Sequence, residues 1–225
     1  MNITFYGHAS FGVKVNGKHL LVDPFISANP NASHIKLDQI KADYILITHA
    51  HQDHVLDVDV IAQRTGAIII SNYEIVNHFI AKGFNGHHLN HGGTYACDAF
   101  SVKYVNAVHT SSFADGSYGG EPGGFVLSAN NKSIYIAGDT CASYDMKLIP
   151  MFTRIDLAIL PIGDTFTMGV SEAIIASDFV ETDRVLGCHF NTFPPIKIDE
   201  NEAKKAFASK SKELILLEIG ASINI

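Results

Sequence analysis

Short apolar runs rich in β-branched residues alternate along the chain with segments of helical periodicity. Over residues 3–22 apolar and polar positions alternate with the period of a strand, and Asn16-Gly17 is a dipeptide typical of a β-hairpin turn. The pattern then becomes strand, helix, strand, helix, at 44–47, 57–65, 67–71 and 73–82. This order indicates an α/β protein in which helices are layered on sheets.

The second half of the chain continues the same alternation of strands and helices. Asn130-Asn131 separates two β-like runs and predicts another hairpin. Ser171, followed by Glu172, is the predicted N-cap of a helix. The predicted strands lie at 100–109, 124–128, 133–137, 157–160, 184–189 and 214–218, and further helices are predicted at 144–153 and 200–210.

Two polar segments fall between these elements. We interpret His87, His88 and His91 as a solvated loop, because no strand end or flanking carboxylate organises them. Residues 110–124 are rich in serine and glycine but lack the P-loop pattern. A mobile flap beside a site and a plain long loop are equally consistent with their composition.

The most informative stretch is His49-Ala50-His51-Gln52-Asp53-His54, directly after a buried strand. Neutral imidazole and carboxylate are good ligands for Zn²⁺ and similar cations. A polar loop that happens to contain histidine is the simpler explanation for one histidine, but not for four potential ligands in six residues. The motif therefore predicts a metal site at a strand end.

Other strand ends repeat this feature. A predicted strand ends in His109, another delivers Asp139, and a third ends in His189. Taken alone, each of the two histidines is ordinary for a core or a surface. Asp23, before Pro24, also fits an ordinary turn aspartate. The convergence of strand ends predicts a shared site.

On these residues the chain resembles the metallo-β-lactamase superfamily, whose signature is H-x-H-x-D-H. Residues 7–11, 22–25, 161–169 and 189–194 are similar to its small single-domain branch of metal-dependent hydrolases, which is similar to the lactonase that opens ascorbate 6-phosphate. The resemblance runs from about residue 3 to the C-terminus. It implies a four-layer αββα sandwich formed as one domain over residues 1–225.

The resemblance also implies roles for individual residues. It assigns one cation to His49, His51 and His109, the other to Asp53, His54 and His189, with Asp139 shared. It implies that Asp23 and Thr48 support these ligands from behind, and that Asp53 and His189 take part in catalysis. Expected substrate contacts are His8, Phe25, Thr167, Met168, Asn191 and Phe193, although His8 alone is ordinary for a structural histidine.

The expected activity is hydrolysis by a hydroxide held between two divalent cations, with Zn²⁺ the first choice and Mn²⁺ or iron as alternatives. The bond is ester-like, a phosphodiester or a lactone, in a small-molecule substrate. None of the motif segments carries lysine or arginine, so they offer no obvious cradle for a highly charged phosphate. A di-iron redox protein and a non-catalytic metal-binding or sensor protein are the alternatives.

Composition limits the classes of protein and the cellular compartments that fit this sequence. The chain has 225 residues, 47% of them hydrophobic, which suits a packed core. Its net charge of −7 opposes a nucleic-acid surface. Three cysteines without paired spacing favour a reducing compartment, although a metal or redox role for Cys141 or Cys188 stays open. With no visible signal peptide or membrane span, we expect a cytoplasmic protein, and a homo-oligomer stays open.

Overall fold

The computed structural model describes residues 1–225 and contains fourteen strands and five α-helices. The strands are β1 (Asn2–Gly7), β2 (Ser10–Val15), β3 (Lys18–Val22), β4 (Tyr44–Leu46), β5 (Ile68–Asn72), β6 (Gly86–Leu89), β7 (Thr94–Ala96), β8 (Ser101–Asn106), β9 (Gly123–Ala129), β10 (Lys132–Ile136), β11 (Leu157–Pro161), β12 (Arg184–Cys188), β13 (Glu213–Ile215) and β14 (Ser222–Asn224). The helices are α1 (Gln52–Val55), α2 (Val58–Thr65), α3 (Tyr73–Ala81), α4 (Val170–Phe179) and α5 (Glu200–Ala208).

The strands form two seven-stranded sheets. The first has the order β14-β1-β2-β3-β4-β5-β6, and the second has the order β13-β12-β11-β10-β9-β8-β7. From β14 to β6 in the first sheet and from β7 to β13 in the second, three antiparallel pairings are followed by three parallel ones. Four of the six parallel connections contain α-helices, and those from β3 to β4 and from β10 to β11 contain only 3₁₀ turns.

Burial of both faces of the sheets explains the continuous apolar runs in the sequence. In β3 and β4, Leu20 and Leu46 pack in the core between the sheets, while their neighbours Leu21 and Ile45 pack under the outer helices. Successive side chains of a strand point to opposite faces, so a strand covered on both sides is apolar throughout. A third core lies between the second sheet and α4 and α5. The predicted αββα sandwich is confirmed.

Three local predictions are wrong. The predicted helix at 144–153 is only a 3₁₀ turn, Tyr144–Leu148, because Pro150 has no backbone N–H with which to continue the helical hydrogen bonds. Ser171 is not an N-cap: α4 begins at Val170, and Gly169 precedes it without a side-chain capping bond. The segment with His87 and His88 is not a loop but strand β6, which pairs in parallel with β5.

The helices of the protein are short. None combines the length and the apolar character that a crossing of a lipid bilayer requires.

Candidate metal centre

The site lies where several strand ends of both sheets meet. In the first sheet, β1, β3 and β4 run in the same direction, because β2 is antiparallel to both of its neighbours. In the second sheet β8, β10 and β12 also share one direction. The residues that follow these strands therefore collect at one edge of each sheet. They are His8, Asp23, His49, His109, Asp139 and His189.

One group of ligand atoms comes from His49, His51 and His109, whose nitrogens lie within 4.8 Å of one another. His49 Nε2 is 3.0 Å from His51 Nδ1. His51 precedes the short helix α1, and its Nε2 lies 3.3 Å from Thr110 Oγ1. The structure thus brings together the three residues that the resemblance assigns to one cation.

A second group comprises Asp53, His54 and His189, together with His8, again within 4.8 Å. The first turn of α1 carries Asp53 and His54. His189 Nε2 lies 3.8 Å from Asp53 Oδ2. His8, near the N-terminus, joins this group with its Nε2 3.0 Å from Asp53 Oδ2.

The carboxylate of Asp139 lies between the two groups. Its Oδ2 is 3.6 Å from His109 Nε2 and 3.1 Å from His189 Nε2. Its Oδ1 is 3.4 Å from His54 Nε2. A third set of potential ligand atoms, His49, His54 and Asp139, therefore joins the two groups. The carboxylate of Asp139 is therefore in contact with both groups.

Asp23 and Thr48 hold two of the imidazoles from behind. Asp23 Oδ2 accepts a hydrogen bond from the Thr48 hydroxyl at 2.6 Å and from His54 Nδ1 at 2.9 Å. Because the Thr48 hydroxyl donates to Asp23, its oxygen accepts from His49 Nδ1 at 3.0 Å. Both rings are thereby fixed with Nδ1 protonated, which leaves the Nε2 lone pairs of His49 and His54 aimed into the cluster.

The backbone at the site adopts sparsely populated conformations. His8, Asp23 and His189 have φ angles of 55°, 42° and 54°, in the left-handed region. Such strain persists where the surrounding structure over-determines it, and it concentrates at functional sites. Gly138, with φ of 66°, packs against Thr48 so closely that a Cβ would lie 2.7 Å from its side chain. A side chain at position 138 would push this residue away from Thr48, and Asp139 directly follows it in the chain.

Electrostatics of the cluster favour a positive charge. Burial alone would raise the pKa of Asp139, but His189 and His54 outweigh it and hold that pKa well below the ordinary range. Burial alone would lower the pKa of His189, but Asp139 raises it to about 9. Asp53 likewise has a pKa lowered by His189 and His8 against the effect of burial. Two nearly adjacent carboxylates thus attract a proton or a cation to this place.

The other histidines are held neutral. Burial lowers the pKa of His49 well below the ordinary value, and the positive charge favoured at His54 acts in the same direction. Burial also lowers the pKa of His51 and of His109, and it lowers the pKa of His8 to about 4. Neutral imidazole is the form that binds metals.

These residues fit divalent cations. His54 Nε2, Asp139 Oδ1 and both ring nitrogens of His189 are buried without a hydrogen-bond partner. Buried polar atoms almost always have a partner, and buried charges are paired or coordinate metals. Asp139 is 3% exposed, and its ionic partners are all histidines. A His/Asp donor set of this kind suits Zn²⁺ and related ions.

The expected substrate contacts fall into two sets. Phe25 and Phe193 flank the ring of His8, with ring centroids 5.5 and 5.4 Å from it. Thr167 is half-buried and precedes Met168, whose backbone N–H donates to the Thr140 carbonyl. Met168, in contrast, has no exposed surface and packs in the core under α4.

The side chain of Asn191 also makes its hydrogen bonds within the protein. It donates to Glu200 Oε1 and accepts from the backbone N–H of Ile198, both at 3.0 Å. Asn191 therefore holds its own loop together. The positions of Met168 and Asn191 favour structural roles over substrate contact.

Several residues at the site were missed by sequence reasoning. The Thr192 hydroxyl lies 3.0 Å from His8 Nδ1. Ser111 Oγ accepts from the Ala50 backbone N–H and donates to the Gly119 carbonyl, which ties residues 110–124 to the ligand turn. Asn72 donates to the carbonyls of Gly119 and Glu121. Hydroxyl and amide residues are frequent in loops, and only the position of Thr192 just after His189 was a signal.

Comparison with known proteins gives consistent results. The family model described as "Beta-lactamase superfamily domain" matches residues 2–189. A protein of Flavobacterium johnsoniae named "UPF0173 metal-dependent hydrolase" is 60% identical over all of this chain and all of that protein. A protein of the same name from Christiangramia forsetii is 58% identical, again over the full length of both.

Among solved structures, Igni18 from the archaeon Ignicoccus hospitalis, described as a novel metallo hydrolase, has a TM-score of 0.90 and 34% sequence identity. The match covers 99% of this chain and 97% of that one. The similarity therefore extends through both sheets and all the strand ends described above.

Proposed function

Because the chain belongs to the metallo-β-lactamase superfamily and is a metal-dependent hydrolase, we propose that it cleaves an ester-like bond with two divalent cations. The substrate is a small molecule, and the bond is a phosphodiester or a lactone. The observation that carries this proposal is the position of Asp139, whose carboxylate contacts His109 of one group and His54 and His189 of the other.

The proposal assigns three protein ligands to each cation. His49, His51 and His109 hold one, as the mutual approach of their nitrogens supports. Asp53, His54 and His189 hold the other, and Asp139 is shared between the two. Divalent cations such as Zn²⁺ supply Lewis acidity in such a site, because they lower the pKa of water to about 7 and stabilise developing negative charge.

Asp53 is the carboxylate placed to contact a water molecule at the site. Its side chain is 31% exposed, whereas those of Asp139 and Asp23 are 3% and 1% exposed. Its low pKa keeps it ionised, so it orients a water molecule by accepting a hydrogen bond from it. His189, beside both Asp53 and Asp139, fixes the geometry between them.

The surroundings favour a substrate of low charge. Phe25 and Phe193 present apolar edges beside His8, and their ring centroids are 6.1 Å apart. The motif segments contain no lysine or arginine; they are residues 7–11, 22–25, 49–54, 161–169 and 189–194. We therefore place lactones and phosphodiesters with a single negative charge ahead of phosphomonoesters.

A substrate panel tests the proposal. Phosphodiesters, lactones and thioesters are assayed with chelated protein and with protein reloaded with Zn²⁺, Mn²⁺ or Fe²⁺. We expect turnover of an ester-like substrate only in a metal-loaded form, and we expect His109→Ala to abolish it. The matched control is His88→Ala, an exposed histidine on the edge strand β6. Turnover that survives both chelation and His109→Ala would contradict the proposal.

A further inference from the structure

The ring of His8 has no free atom for a substrate. Its side chain is fully buried, and both nitrogens have protein partners. Nε2 lies 3.0 Å from Asp53 Oδ2, and Nδ1 lies 3.0 Å from the Thr192 hydroxyl. The ring thus joins residues that are 45 and 184 positions away in the chain.

The chemistry of the three groups fixes the direction of both hydrogen bonds. An ionised carboxylate only accepts, so His8 Nε2–H donates to Asp53. In the neutral imidazole Nδ1 then carries a lone pair and accepts from the Thr192 hydroxyl. The other acceptor near that hydroxyl is the Phe190 carbonyl, at a long 3.4 Å. Thr192 therefore selects the tautomer of His8 that can hold Asp53.

We propose that Thr192 and His8 form a relay that fixes the carboxylate of Asp53 as a cation ligand, so that His8 is a positioning residue and not a substrate contact. This inference rests on the proposed cation site. It adds a second support to that of Asp23, which fixes His54 and, through Thr48, His49.

Packing holds the relay in place. The ring of His8 lies 4.1 Å from that of His189 and is flanked edge-on by Phe25 and Phe193. The His8 carbonyl accepts from the His189 backbone N–H at 2.8 Å, so the left-handed backbone of one residue is tied to that of the other. Water is excluded from the His8 side of Asp53, which strengthens the hydrogen bond between them.

Matched variants of Thr192 test the relay. Thr192→Val keeps the shape and removes the donor, whereas Thr192→Ser keeps the hydroxyl. Zn²⁺ content is measured by elemental analysis, and the affinity for each Zn²⁺ by competition with a chelator. We expect Thr192→Val to lower the affinity for one of two Zn²⁺ ions about 10–100-fold, because loss of a group that orients a metal ligand has an effect of this size. We expect Thr192→Ser to bind both Zn²⁺ ions with wild-type affinity.

Variants of His8 separate positioning from direct ligation. His8→Gln retains an N–H donor near Asp53, so the protein should still bind two Zn²⁺, whereas His8→Leu should lower the affinity for one Zn²⁺ as Thr192→Val does. Thermal unfolding of each variant confirms that it is folded.

Three outcomes would overturn the relay. The first is equal Zn²⁺ affinity of Thr192→Val and Thr192→Ser, and the second is weaker binding of both Zn²⁺ ions in Thr192→Val. The third is loss of one Zn²⁺ from His8→Gln to the extent seen in His189→Ala, because that result would make His8 a ligand. The proposed function fails separately, if the wild-type protein itself holds fewer than two Zn²⁺.

Discussion

At the scale of single residues, the site depends on which nitrogen of each imidazole is free. Asp23 fixes the ring of His54 directly and that of His49 through Thr48, so the two Nε2 atoms face the same space as Asp139. A histidine whose ring is free to flip presents a ligand atom only part of the time. The buried carboxylate of Asp23 therefore prepares the site before any cation arrives.

Asp23→Asn should lower the affinity for divalent cations by about 10–100-fold, because both carboxylate oxygens accept hydrogen bonds from Thr48 and His54 and an amide keeps only one acceptor oxygen. Asparagine tolerates the left-handed backbone at this position, so the fold should be retained. Competition between the protein and a chelator for Zn²⁺ measures the change. Asp59→Asn, which alters an exposed carboxylate on α2, is the control. Equal affinity of the two variants would refute this role of Asp23.

A residue far from the site gives a test by pH. Asp156 accepts hydrogen bonds from Lys132 Nζ and from the Ser133 backbone N–H, both at 2.9 Å. Burial alone would raise its pKa, but these partners lower it. Because the folded-state pKa lies below the unfolded value, the stabilisation is present above about pH 4 and is lost as the pH falls through the folded-state pKa.

Asp156→Asn should therefore reduce the free energy of unfolding by about 1 kcal/mol at neutral pH. Urea denaturation of both proteins across the pH range measures the difference, which should shrink below about pH 4. The exposed Asp38→Asn serves as the control. A difference independent of pH would show that the charge of Asp156 does not matter.

The sequence predicted the candidate ligands but not the groups that orient them. His109, Asp139 and His189 were found because each follows an apolar run, and the structure brings all three to the turn at 49–54. Thr192 was not found, since its partner His8 is 184 residues away and a threonine carries no sign of such a contact. Met168 was expected near the substrate, but its side chain is fully buried. A motif gives nearness along the chain, whereas the direction of a side chain depends on tertiary packing.

At the scale of elements, the segment 110–124 is tied down beside the site. Asn72 caps α3 by accepting from the Ile75 N–H at 2.9 Å, and its amide donates to the carbonyls of Gly119 and Glu121 at 2.8 and 3.1 Å. Phe113 stacks on His78 of α3 with ring centroids 3.8 Å apart. Of the two descriptions that the composition allowed, these contacts support an anchored loop over a mobile flap.

Asn72→Asp should free the loop without harming the helix. The carboxylate still accepts from Ile75 and caps α3, but both donors to the loop are lost. Hydrogen exchange should accelerate at 110–124 and stay unchanged in α3. Asn72→Ala removes both functions and should cost an additional ~1 kcal/mol through the lost cap. Unaltered exchange of the loop in Asn72→Asp would contradict this role of the amide.

Sequence patterns failed where one residue or one sheet edge decides the structure. The segment 144–153 has helical periodicity, but Pro150 has no backbone N–H to continue the helical bonding, and only the 3₁₀ turn Tyr144–Leu148 forms. His87 and His88 lack the composition of a strand, and they form one because β5 offers a free edge for pairing. Long alternating or apolar runs, by contrast, gave β9, β10, β11 and β12 close to their observed bounds.

At the scale of the whole molecule, two similar halves enclose the site. Each sheet passes from antiparallel to parallel pairing, and β14 returns from the second half to pair with β1 of the first. Side chains of both sheets form one inner core, which includes Phe11 and Leu46 from one sheet and Leu127 and Leu186 from the other. Neither half buries its inner face without the other.

The protein should therefore unfold in one cooperative transition, as expected of a single domain over residues 1–225. Far-UV circular dichroism and tyrosine fluorescence should give coincident urea curves. Leu127→Ala, which truncates a fully buried side chain of the inner core, should shift both curves together and cost about 2–5 kcal/mol. Two separate transitions, or a shift in one probe alone, would show that the halves fold independently.

The central claim is that two cations lie on either side of Asp139, and anomalous scattering from crystals grown with Zn²⁺ tests it most directly. We predict two peaks, one among His49, His51 and His109 and one among Asp53, His54 and His189, each at about 2 Å from its ligand atoms. A single peak, or none within coordination distance of these residues, would contradict the account.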